Sequence, residues 1–176
     1  MLIEVDLASK KVISNIPTGW RPHSVEITPD GKRAIVSNQW ANSLYLIDLE
    51  TGKYIDSVAT GGGPAGMDIT RDGRYVYTAN TYDNTISMID LEEMEEIRRY
   101  HGGNYPTNVA IAPGGETVYV ASQRTLPVQH RAPIQTEVTV VNKNTSRVQE
   151  RKLFTSAHIM ESIAFTPDGD MAIITL

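Results

Sequence analysis

The sequence contains no cysteine among its 176 residues. Disulfides, thiolate metal sites, cysteine nucleophiles and covalent c-type haem attachment are thereby excluded for this chain, although the lack of thiols does not report a compartment. No apolar run approaches the ~18 residues of a membrane-spanning helix. The opening residues, Met1 to Asp6 (MLIEVD), lack the basic-then-apolar pattern of a secretion signal. Basic side chains are outnumbered, with 16 Lys and Arg against 21 Asp and Glu. A net charge of −5 argues against a nucleic-acid groove, which needs a basic stripe. Catalytic signatures are missing too: no Gly-x-Ser-x-Gly, no zincin histidine pair, no glycine loop leading into a helix. What is present is 40% apolar residues with 13 Gly and 9 Pro, enough for one sizeable core or an incomplete larger one.

The chain repeats itself, and a repeat overrides local propensity. The segments beginning at Pro22, Pro64 and Pro106 are 42 residues apart: PHSVEITPDG, PAGMDITRDG and PTNVAIAPGG. A fourth copy, MESIAFTPDG, begins at Met160 after 54 residues, so the third unit carries an insertion, Gln123 to Gln135 (QRTLPVQHRAPIQ). Each unit holds four short apolar runs. The first alternates with the period of two that strands require: Val25/Ile27, Met67/Ile69, Val109/Ile111, Ile163/Phe165. An Asp-Gly or Gly-Gly turn follows, supplying the positive φ of a tight hairpin. Second runs end in IVSN, YTAN and YVAS, third runs read LYLID, ISMID and VTVVN, and a fourth outer run closes each unit. Four strands per ~42 residues is the spacing of a β-propeller blade. Glu92 to Arg99 has the charge spacing of a helix, but the repeat aligns it with a turn entering an outer strand.

These second-strand ends, with the Pro-Asp-Gly turn upstream and Ile-Asp-Leu downstream, resemble YVTN-type β-propeller repeats. The resemblance covers essentially everything outside the insertion. It extends to surface-layer, YncE-like and periplasmic propellers, and it implies an all-β propeller of four-stranded antiparallel blades located outside the cytoplasm. The third unit departs from the pattern, with Asn142 where the others have Asp48 and Asp90.

The predicted organisation is one propeller: residues 1–21 end a blade, 22–63 and 64–105 are blades, 106–159 is a blade with the insertion 123–135, and 160–176 start another. About four blades' worth of strands is present. A propeller must close, so the expectation is that these strands belong to a larger ring, of about seven or eight blades by resemblance. Closure of this chain on itself, or of two copies on one another, is the alternative.

Blade geometry sorts loops onto two faces. Tight hydrophilic turns (PDGK, RDGR, LETGK, LEEME) share one. The other, where second strands meet third strands and blade meets blade, collects the scarce residues: Trp20, Arg21, His23, Trp40, Tyr82, Tyr105, Arg124, His130, Arg131, His158 and Glu161, with His101 nearby. Loops on a rigid scaffold are where binding residues concentrate, so this is the predicted ligand or partner face. The insertion lies on it as an extended loop, either functional or merely tolerated.

His23, Ala65, Thr107 and Glu161 open successive blades. His23 is a candidate ligand or acid/base group, or simply a rim histidine bonded to backbone. With His130 and His158 it could surround Zn, Cu or Fe, although no metal-ligand spacing occurs. Glu26 and Asp68 sit at equivalent points of adjacent innermost strands. They could hold Ca²⁺ or raise one another's pKa, or they line a watery channel. Asn38 and Asn80 are read as turn caps, and Gly61-Gly62-Gly63 as a flexible linker between blades. Asn144-Thr145-Ser146 matches a glycosylation sequon.

No cofactor is predicted and no catalytic residue is assigned; the expected partner is a protein or small molecule, with no nucleic acid and no membrane span. Three functions remain open. The first is a non-catalytic extracytoplasmic binding or scaffold module working through the His/Trp/Tyr/Arg face. The second is a propeller subunit of a periplasmic redox enzyme, or a lactonase-like hydrolase, with its site at the channel mouth. The third is a structural surface-layer repeat.

Overall fold

Sixteen strands and no helix make up the described residues of the computed structural model, which are 1–124, 135–145, 147–155 and 162–175. Strands β1 (Leu2–Asp6) and β2 (Lys11–Ile16) pair alone. Three antiparallel four-stranded sheets follow: β3 (Pro22–Ile27) to β6 (Lys53–Ala59), β7 (Pro64–Ile69) to β10 (Glu95–His101), and β11 (Pro106–Ile111) to β14 (Arg147–Thr155). Strands β15 (Ser162–Phe165) and β16 (Ala172–Thr175) form the last pair. Within every sheet, spatial order is chain order, as in a propeller blade.

The core is a series of layers between neighbouring blades. One packs Ile35, Leu44 and Leu46 against Met67, Val76 and Ile89; the next packs Tyr77, Ile86 and Met88 against Val109, Val118 and Val120. Ala110, Ala121 and Val138 meet Ile163 in the third, and Ile16 meets Ala34, Val36 and Ile47 in the layer behind. Each blade therefore buries its faces only against its neighbours. The arc is open. Val25 and Ile27 stand where later blades have covered side chains, and are 45% and 55% exposed.

The packing bears out one local reading of the sequence and corrects another. Glu92 to Arg99 enters the outer strand β10, and its charge pair is nonetheless real: Arg99 and Glu96 meet at 2.6 Å. A bulge between Glu96 and Arg98 adds the extra residue that brings positions three apart onto one face of a strand. The Gly61-Gly62-Gly63 segment is not a loose tether. The Gly62 N–H donates to Asp83 Oδ2 (2.7 Å) and the Gly63 N–H to Asn42 Oδ1 (2.8 Å). A Cβ on Gly61 would lie 2.5 Å from Asn80 Nδ2.

Asn80 likewise does more than cap a turn. Its Nδ2 donates to Thr85 Oγ1 (3.0 Å) and Ser87 Oγ (2.7 Å) across the neighbouring strand, and the amide packs beneath Gly61. Asn38 packs the same way beneath Gly19, and Ser122 beneath Gly103. A glycine stacked over Asn38, Asn80 or Ser122 is thus the repeated joint between one blade's second strand and the linker entering it. Asn142 performs the turn task of the aspartates it replaces: its Oδ1 accepts the N–H groups of Asn144 and Thr145, as Asp48 accepts that of Thr51.

Candidate functional site

The first strand of each blade begins with a bulge, between Pro22 and Val25, Pro64 and Met67, and Pro106 and Asn108. Bulges re-aim side chains beside functional sites. Here the residues just after the three prolines, His23, Ala65 and Thr107, line one cavity of about 190 Å³. Arg21, Gln39, Thr81, Tyr82 and Tyr105 complete its wall. The cavity therefore draws on three successive blades and lies on the loop face that the sequence singled out.

The linker before each proline is pinned to the loop after the second strand. The Gln39 N–H donates to Arg21 O, the Thr81 N–H to Gly63 O and the Gln123 N–H to Tyr105 O. Arg21 and Tyr105 both have a φ of 53°, and Gly63 between them has 69°. The left-handed region suits glycine and strains other residues. Tyr105 is held there by Asn84, whose Oδ1 accepts its N–H at 2.7 Å. Asn42 does the same for Gly63.

Charge in the cavity is one-sided. Among the described residues Arg21 is the single formally charged one lining it, and no carboxylate of those residues borders it. The guanidinium lies over the Trp40 ring at 5.2 Å, a cation–π contact. His23 is exposed at the rim, yet desolvation and then the charge of Arg21 lower its pKa, so the imidazole is neutral at pH 7. Gln39 is 6% exposed, and its Oε1 has no hydrogen-bond donor. That oxygen is itself sealed from solvent, as are the likewise unpaired Oδ1 atoms of Asn38 and Asn80 in the blade joints.

Of the predicted face residues, Arg21, His23, Tyr82 and Tyr105 converge on this cavity, and Trp40 joins through Arg21. Trp20 stands off the cavity, 77% exposed. His101 is tied to Asn84 O. His130, Arg131, His158, Glu161 and the side chain of Arg124 lie outside the described residues, as does most of the insertion. Among the described residues no three His, Asp or Glu side chains gather to hold a metal ion. Gln39 and Thr81 were not singled out by sequence, because they carry no scarce chemistry; aligning position 39 with 81 and 123 of the repeat is the signal that places them at the site.

Glu26 and Asp68 do not line the cavity; they sit on β3 and β7. Asp68 straps two blades together, its Oδ1 accepting the Ile69 N–H (2.8 Å) and its Oδ2 the Ile111 N–H of the next blade (2.7 Å). Burial raises its pKa against the pull of those two bonds. Glu26 rises from an ordinary 4.5 to about 7, through burial first and the neighbouring Asp68 charge second.

A family described as YNCE-like beta-propeller matches residues 2–114. Among solved structures, a chain of the Kuenenia stuttgartiensis hydrazine synthase superposes with a TM-score of 0.89 at 26% identity, covering 98% of this chain and 48% of its own. A functionally unknown protein from Desulfotomaculum acetoxidans superposes with a TM-score of 0.69 at 19% identity over 90% of this chain and 50% of its own. The present chain thus spans about half the length of each. No curated protein sequence matches it.

Proposed function

Because the chain belongs to the YncE-like β-propeller family, we propose that it is a binding module, working outside the cytoplasm, that takes a small ligand or the tip of a partner protein at the channel-mouth cavity. One observation carries this reading: the frame repeats while the lining does not. Pro22, Pro64 and Pro106 are identical, and Gly19, Gly61 and Gly103 are identical. Beside them the repeat positions read Arg21, Gly63, Tyr105 and His23, Ala65, Thr107, different in every copy, whereas the set Gln39, Thr81, Gln123 returns to glutamine. Stability alone would favour the same residue at each copy, and glycine at every left-handed position. Two residues held at glycine's φ on one cavity wall are strain of the kind that accumulates at functional sites.

A thermal-shift screen of small organic anions, neutral polyols and cations tests the proposal, run on the natural protein and on Tyr82→Ala and Tyr105→Ala. At least one class should raise the melting temperature of the natural protein and lose that effect in both variants. Shifts that survive both substitutions, or none in any class, would refute it.

A second reading, a propeller subunit of a larger enzyme, draws support from the 26% identity to a hydrazine synthase chain over 98% of this one. In that case the native protein should elute in a complex with other polypeptides. Elution at the mass of the intact chain alone counts against this second reading. The third possibility, a structural surface-layer unit, leaves the cavity chemistry without a role.

A further inference from the structure

We infer that Glu26 is a pH-controlled strap between the first two blades: its ionised carboxylate takes the Ile69 N–H of β7, as the Asp68 carboxylate takes the Ile111 N–H of β11. The repeat supplies the template. Glu26, Asp68 and Ala110 occupy equivalent positions on the innermost strands β3, β7 and β11, and Ile27, Ile69 and Ile111 follow them. The second blade reaches the third through one bond, from the Ile111 N–H to Asp68 Oδ2 at 2.7 Å. Ile111 follows Ala110, which has no side-chain acceptor, so its N–H is left for the preceding blade.

The corresponding bond between the first two blades is open. The Ile69 N–H, which by equivalence faces position 26, goes instead to its own neighbour, Asp68 Oδ1, at 2.8 Å. Glu26 is half-buried on a strand packed against β7, and it makes no hydrogen bond or ion pair among the described residues. An uncharged carboxyl group tolerates that place. Once Glu26 ionises, one carboxylate would hold both donors and the other none; passing the Ile69 N–H across gives each charge one. Neither N–H is stranded in either arrangement, so the exchange needs no unpaired intermediate state at rest.

The surrounding charges put that exchange near neutrality. Strand β3 packs against β4 and β7, and the titratable or charged side chains on the three strands, besides Glu26, are His23, Arg33 and Asp68. His23 lies at the other end of β3, on the cavity wall, and Arg33 acts on the turn carboxylate of Asp30. Of the three, only Asp68 acts on Glu26: burial first, and that like charge second, lift its pKa to about 7. Ionisation therefore keeps a net cost, and the strap closes as pH rises without making the protein more stable. Strands β3 and β7 begin at the cavity, with His23 and Ala65 on its wall. The strap thus braces the first two blades of that wall above neutral pH, whether or not a ligand is bound there.

Amide NMR on the whole chain reads the strap, with Ile111 as internal control because it too bonds Asp68. Between about pH 5 and pH 9 the Ile69 amide should shift with the Glu26 titration, and the Ile111 amide should not follow. Glu26→Gln should abolish the shift. Ile69 unmoved, Ile69 and Ile111 moving alike, or a shift that survives Glu26→Gln overturns the strap. Asp68→Ala gives a second measurement, since it leaves Ile69 with the alanine neighbour that Ile111 has naturally. At about pH 8 Glu26 should then hold the Ile69 N–H, whose hydrogen exchange quickens about tenfold or more only when Glu26→Ala is added, whereas Ile111 exchanges fast in both. Equal Ile69 exchange in the single and double variants also overturns it. Should Asp68→Ala fail to fold, the titration of the natural protein and Glu26→Gln decides alone.

Discussion

Replacing Arg21 by glycine and by alanine measures the strain directly, because the two variants remove the same side chain and differ only in a Cβ. At a φ of 53° a residue bearing a Cβ costs roughly 1–2 kcal/mol relative to glycine in the folded state. Glycine returns about 0.5–1 kcal/mol of that through the greater freedom of its unfolded chain. Arg21→Gly should therefore exceed Arg21→Ala in stability by roughly 0.7 kcal/mol, the middle of a range of about 0–1.5 kcal/mol. Either variant loses the contact with Trp40, worth about 0.5–1 kcal/mol at an exposed site. The glycine variant then lies close to the natural protein, and the alanine variant falls below it. Urea unfolding with an unchanged m-value is the measurement. For a chain of this size the gap corresponds to roughly 1–4 °C in melting temperature. At ordinary positions alanine is the more stable of the two, so the order itself is diagnostic. If Arg21→Ala exceeds Arg21→Gly, as at ordinary positions, the backbone at position 21 is not strained, and the link between strain and function here is wrong.

Three further outcomes follow from the same geometry. Gly63→Ala combines a φ of 69° with a Cβ that would sit 2.5 Å from Tyr82 Cδ2, so it should destabilise by about 2 kcal/mol or more, and chemical unfolding will read it. Glu26 has its folded pKa raised to about 7 from 4.5, so the protonated side chain contributes stability that is full below pH 4.5 and is lost as pH rises through about 7. Glu26→Gln should flatten that part of the stability profile and gain on the natural protein at pH 8, by about 1 kcal/mol after discounting for screening by channel water; an unchanged profile refutes the assignment. Asp68→Ala strands the Ile111 N–H and should cost about 1–3 kcal/mol, whereas Asp68→Asn keeps an acceptor, costs less, and brings the Glu26 titration, followed by carboxyl NMR shifts, back toward the ordinary range.

The propeller was legible in the sequence because its frame is made of residues whose backbone behaviour is intrinsic. Proline at 22, 64 and 106, glycine at 19, 61 and 103, and Asp-Gly or Gly-Gly turns mark the same joints in the three full copies, whatever surrounds them. Where the reading failed, tertiary contact had replaced the local rule. Three successive glycines suggest freedom, yet Gly61 is glycine because Asn80 lies too close for a Cβ. The helix-like charges from Glu92 to Arg99 did not mislead, because the repeat places them at a turn entering an outer strand, where a bulge brings Glu96 and Arg99 to the same side.

The site was half legible for a related reason. Ranking residues by scarcity finds His23, Tyr82 and Tyr105, but passes over Gln39, whose importance is that it is buried without a donor. That property exists only after three blades have closed around it. The repeat still holds a trace of it: with copies aligned, the positions beside each conserved proline and asparagine separate into those that stay the same and those that change. Arg21 against Gly63 and Tyr105, and His23 against Ala65 and Thr107, are such changes. In a repeat protein, divergence between copies at structurally equivalent, strained positions is itself a physical signal of a site, because identical joints need identical residues only where they do nothing but join.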